Sequence, residues 1–67
     1  MRKFAERLKE LRAEKALSTL ALSKQVDIGV ASLSRWENDK SDIKGDQLIV
    51  LAKFFGVTAD YLLGLED

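Results

Sequence analysis

The 67-residue chain contains no cysteine, no histidine and no proline. Without cysteine no disulfide staples the fold, and no thiolate serves as nucleophile or ligand. Without histidine the common zinc sites and the usual general base near pH 7 are gone. Neither a metal nor a cofactor is therefore expected. Aromatic residues are few, one Trp, one Tyr and three Phe. The longest apolar run, residues 48–52, is far short of the roughly 20 residues a membrane helix needs. Arg2, Lys3 and Phe4 lead into alternating charges rather than an apolar signal core, so no export signal is expected. These absences point to a soluble cytoplasmic protein.

What is present is a helical, globular composition, 46% apolar and 33% charged. The length fits one small domain over residues 1–67, which buries only about 60% of the surface of its unfolded chain. Net charge is zero, yet its distribution is uneven. Residues 1–35 carry eight basic and four acidic side chains, and residues 36–67 carry three and seven. An anionic partner is favoured by the N-terminal half. A merely solvated, salt-laced surface fits the same charges.

The apolar spacing predicts five short helices. Phe4, Leu8 and Leu11 fall on one face of a helix over about 2–15. Ser18 is a suitable N-cap for a second helix over 18–26, with Leu22 and Val26 inward. Asp27, Ile28 and Gly29 read as a tight turn before a third helix over 29–37, whose inner face is Leu33 and Trp36. A polar, aperiodic loop covers 38–44. A fourth helix opens at Gly45 or Asp46 and runs through Phe55, with Leu48, Leu51, Ala52 and Phe55 at core spacing and Gly56 as left-handed cap. Thr58 caps a last helix over 59–63, ended by Gly64. The fold class is thus all-α, compact and five-helical. With Leu33 and Trp36 inward, Val30, Ala31, Ser34 and Arg35 face outward.

The order of these signals resembles lambda-repressor-like (Cro/repressor-type) DNA-binding domains. The resemblance rests on Leu17, Ser18, Leu22, Val26 and Ile28, then on the run Leu33, Ser34, Arg35, Trp36, Glu37 and Asn38. A second block, from Leu51, Ala52 and Lys53 through Gly56, Val57 and Thr58 to Tyr61, Leu62, Leu63 and Gly64, is similar to that family's closing helices. The resemblance covers nearly the whole chain and places a helix-turn-helix at roughly 18–37. It implies that Val30, Ala31, Ser34 and Arg35 read base edges in the major groove. Arg35 is suited to guanine O6 and N7, and the methyls of Val30 and Ala31 to thymine. Val30 and Ala31 read equally as plain helix surface, and Arg35 as an exposed salt-bridging residue. The resemblance assigns Ser18, Thr19, Asn38 and Lys40 to phosphates, beside a capping role for Ser18 and an ordinary surface role for Lys40. It pairs Arg12 with Glu37 as an inter-helix ion pair, so that Glu37→Ala should cost both stability and DNA affinity.

The sequence departs from the family pattern at several positions. Asp27 and Asp39 stand where glycine is preferred, and Ile43 where proline is frequent. Ser23 replaces a small alanine, with a hydroxyl able to bond back to its own helix. Thr19 is shorter than the usual glutamine, and Asp39 with Asp42 puts negative charge near the expected DNA backbone. Leu20 faces outward and, beside Leu17, marks a candidate partner surface.

The leading function is sequence-specific double-stranded DNA binding as a transcriptional regulator, a repressor by preference. The family usually acts as a two-fold dimer on a pseudo-palindrome, and Tyr61, Leu62 and Leu65 are the expected homodimer contacts. The alternative is an antitoxin-like or anti-repressor module of the same fold that binds a protein partner and holds DNA weakly. An enzyme is disfavoured: Asp39, Asp42 and Asp46 fail calcium-loop spacing, and no phosphate-binding glycine loop or acid–base pair appears. The resemblance leaves open whether the chain is a complete regulator or a domain of a longer one, and implies a bacterial or phage origin.

Overall fold

The computed structural model describes residues 2–67. They form α1 (Arg2–Glu14), α2 (Thr19–Val26), α3 (Val30–Glu37), α4 (Gly45–Phe55) and α5 (Ala59–Leu63), with no strand among the described residues. Helix α1 packs on α3 and α5, α2 on α3 and α4, and α4 on α5. Phe4, Leu8, Leu22, Leu33, Leu51 and Leu62 are the largest fully buried side chains. Phe4 meets Trp36 with ring centroids 6.2 Å apart, so one aromatic contact ties α1 to α3. No helix among the described residues is long and apolar enough to cross a membrane.

Caps set the helix starts. The Ser18 hydroxyl accepts from the Ala21 N–H at 3.0 Å, and the Thr58 hydroxyl accepts from Tyr61 N–H at 3.0 Å. Each satisfies a donor that the first helical turn leaves open.

The helix ends share one device. Leu17, Ile28, Lys40, Val57 and Leu65 each donate their N–H to the carbonyl five residues earlier. The residue before each donor is left-handed: Ala16, Asp27, Asp39, Gly56 and Gly64. That geometry suits glycine, and side chains resist it. At Gly64 a Cβ would also lie 2.2 Å from the Lys3 stem, so only glycine fits. Ala16, with φ 55°, gains nothing from its exposed methyl group. Left-handed strain of about 1–2 kcal/mol exceeds the extra unfolded-state entropy of glycine, about 0.5–1 kcal/mol. Ala16→Gly is therefore expected to stabilise the protein by about 0.5–1 kcal/mol, raising the melting temperature by several degrees. A lower melting temperature would refute that.

Five expectations change. Leu62 is not a dimer contact but a fully buried core residue, because α5 lays it against α1 and α4. Tyr61 is half-buried, with the Arg7 guanidinium 4.1 Å from its ring centroid, which leaves only Leu65 exposed. Leu17 packs against the core, so the surface beside it reduces to Leu20, 55% exposed. Ser23 donates not to its own helix but forward to the Ile28 carbonyl, 2.5 Å away, which fastens the turn between α2 and α3. Helix α1 also ends one residue earlier than its periodicity predicts, because Lys15 and Ala16 form the closing turn.

Candidate nucleic-acid interface

Helix α3 is held from behind and open in front. Leu33 and Trp36 are buried on its inner face. Val30, Ala31, Ser34 and Arg35 are all exposed along its outer face. The turn before it is short because Asp27 is left-handed and Gly29 starts the helix with extended backbone, leaving Ile28 buried as the plug between α2 and α3.

The C-terminal end of α3 is fixed by charge. Glu37 is only 8% exposed, and Arg12 from α1 grips it with two bonds, Nε to Oε2 at 2.7 Å and Nη2 to Oε1 at 2.8 Å. This fork geometry is the strongest arrangement a guanidinium and a carboxylate make. Arg12 Nη1 also donates to the Leu17 carbonyl at 2.9 Å. One side chain thus joins α1, the link into α2, and the end of α3. The bond to Glu37 holds the Arg12 guanidinium above its ordinary pKa; burial opposes this and the Glu37 charge adds to it. The pair stays ionised on the Arg12 side across the working pH range.

The four residues assigned to phosphates occupy different settings. Ser18 is exposed at the α2 N-terminus, its hydroxyl oxygen engaged in the cap. Thr19 is half-buried beside it. Asn38 is exposed, and its amide nitrogen donates to the Ser34 carbonyl at 2.8 Å and reaches the Ser34 hydroxyl at 3.4 Å. The Asn38 amide therefore closes α3 and orients Ser34 as well as facing solvent. Lys40 is exposed, its backbone N–H tied to the Arg35 carbonyl at 2.8 Å. Asp39, exposed and left-handed, sits between them with φ 57°.

A shallow groove beside α3 was not expected. Arg35, Ser32, Ser41, Lys44 and Gln47 line it, with Asp42 on its wall. It brings a second cation, Lys44, to the side of Arg35 from the start of α4. Lys44 lies in the aperiodic loop, where spacing carries no signal. Its place directly ahead of a helix start was the one clue available.

Comparison with known proteins agrees with this arrangement. A family model described as a helix-turn-helix domain matches residues 5–67. The HTH-type transcriptional activator BcrR of Enterococcus faecalis is 36% identical over 64 residues, covering 96% of this chain and 31% of that protein. The HTH-type transcriptional regulator ImmR of Bacillus subtilis is 34% identical over 64 residues, 96% of this chain and 50% of its own. Repressor protein C2 of Salmonella phage P22 is 31% identical over 60 residues, 90% of this chain and 28% of its own. The chain thus spans half or less of the length of these three relatives. No solved structure matches it. With five helices in order among the described residues, a turn plugged by Ile28, and a family match over nearly its whole length, the chain belongs to the helix-turn-helix family of the lambda-repressor-like kind.

Proposed function

We propose that this chain is a sequence-specific double-stranded DNA-binding domain of a transcriptional regulator, with α3 as the helix that enters the major groove. The observation that carries the reading is the pairing of an anchored back with an open front. Leu33, Trp36 and the Arg12–Glu37 fork fix α3, while Val30, Ala31, Ser34 and Arg35 stand exposed in one row. A reading helix needs both, since specificity depends on holding side chains at fixed positions against base edges. In this reading Arg35 donates to a guanine and Ser34 bonds a neighbouring base. Val30 and Ala31 contact thymine methyls. Ser18, Thr19, Asn38 and Lys40 take phosphates, and Lys44 in the adjoining groove joins them.

The regulator acts as a two-fold dimer on a pseudo-palindrome, with its α3 helices about 34 Å apart. Particles of 27 × 24 × 21 Å can sit side by side at that spacing. Repression follows by occlusion, since two such domains over one operator exclude other proteins from it. The relatives named above include both an activator and a repressor, and a promoter-fusion assay with the operator moved relative to the start site assigns the sign.

The test is a titration with duplex DNA selected from a random library, repeated over a range of salt. One sequence should be enriched, and affinity should fall steeply with salt. Arg35→Ala should relax preference at one base pair by about 1–3 kcal/mol. Lys40→Ala should weaken all sequences alike and reduce the salt slope by about 1. If no sequence is enriched and binding stays weak at low salt, the second reading takes over. That reading is a protein-binding module, favoured by exposed Leu20 and by the acidic Asp39 and Asp42.

A further inference from the structure

The outward face of α4 holds two adjacent β-branched residues, Ile49 at 52% and Val50 at 42% exposure. Such residues are poor choices for open helix surface, because they lose rotamer freedom without gaining contacts. The groove-reading role of α3 makes no use of them.

Helical spacing sets Asp46, Ile49, Val50 and Lys53 on a single stripe, and all four are exposed. Along the helix the stripe reads acid, apolar, apolar, base. Its centre lies between Ile49 and Val50, and reversing the direction exchanges acid for base. A second α4 laid antiparallel across that centre puts Asp46 opposite the partner's Lys53 and Lys53 opposite the partner's Asp46. Ile49 then meets the partner's Val50, and Val50 the partner's Ile49, across the two-fold axis, as an isologous contact requires. A parallel arrangement would set like charge against like. The order of the charges also suits the dipole of α4 itself, but the dipole does not account for the apolar pair between them.

We infer that α4 is the self-association surface of this chain, and that its occupant is a second copy packed antiparallel across Ile49 and Val50. The seam is small beside the roughly 800 Å² per partner of a standard interface. The dimer is therefore weak in free solution and completed on DNA. The seam itself stands without the DNA reading, which supplies only its use in holding two α3 helices over one operator.

The experiment is sedimentation equilibrium of the full chain without DNA, from micromolar to millimolar concentration, with circular dichroism confirming that each variant is folded. The wild type should dimerise within that range. Asp46→Lys and Lys53→Asp should each raise the dimer dissociation constant about tenfold or more, because symmetry repeats every like-charge contact. The double exchange should bring it back close to the wild-type value. As the chain has no cysteine, Ile49→Cys and Val50→Cys should oxidise to covalent dimers, while Lys24→Cys on the exposed part of α2 should not. Charge exchanges without effect, a double exchange that fails to restore, or no preference for positions 49 and 50 in cross-linking would each overturn the seam. Arg35→Ala leaves this readout unchanged and alters only DNA preference, so failure of the seam and failure of the DNA reading are told apart.

Discussion

Arg12→Ala is expected to lower the unfolding free energy by about 3–4 kcal/mol, and Glu37→Ala by about 2–3 kcal/mol. The difference follows from where each partner is left. Glu37 is 8% exposed, so without Arg12 its carboxylate stays in a place water hardly reaches. Arg12 is 21% exposed and long, so without Glu37 its head can turn toward solvent along its own stem. Arg12→Ala also strips the Leu17 carbonyl of its donor. A chain of this size holds about 3–10 kcal/mol in all, so the loss is a large share. The double alanine variant should cost less than the two single costs together, by about 2 kcal/mol, because it leaves neither charge unpaired. Urea unfolding of the three variants checks this, and additive costs would remove the fork from the account of stability. DNA affinity should fall with either single change, since both release the end of α3.

The second large effect is expected at Leu33. Its side chain is fully buried on the inner face of α3, where α1 and α2 both pack. Leu33→Ala removes that contact and leaves a cavity, costing about 2–5 kcal/mol. In a domain this small that lowers the melting temperature by about 8–40 °C, at about 4–8 °C per kcal/mol. Val30, three residues earlier and on the outer face, is the control: Val30→Ala should change stability by less than about 0.5 kcal/mol. Thermal melts of both variants decide between an anchored helix and a loosely attached one. Equal small effects would mean that α3 is not held through Leu33.

The helices and most of their caps were legible because their signals are local. Phe4, Leu8 and Leu11 state a period; Ser18 and Thr58 supply an oxygen at the right place; Gly56 and Gly64 supply a left-handed stop. The exposed row on α3 followed from its inner pair by geometry alone. Other features were beyond a one-dimensional reading. Alanine carries no turn signal, so the left-handed Ala16 could not be anticipated from its side chain. A helix as short as α5 has too few turns for its spacing to show that Leu62 is the leucine that points inward. The Ser23 bond to Ile28 depends on how the turn folds, not on the period of α2. The groove holding Lys44 exists only because the 38–44 loop brings the start of α4 back beside α3.

The left-handed helix exits also bear on how such a protein changes over generations. Three of the five, Ala16, Asp27 and Asp39, are occupied by residues other than glycine. Ala16 and Asp27 are each one substitution from a relaxed backbone, and at Asp27 glycine would also remove a negative charge from the unfavourable end of a helix dipole. The chain therefore lies below the stability its own fold permits. Substitutions at packed positions commonly cost about 0.5–3 kcal/mol. Two compensating changes, at Ala16 and Asp27, are available in advance, both at positions away from the outer face of α3.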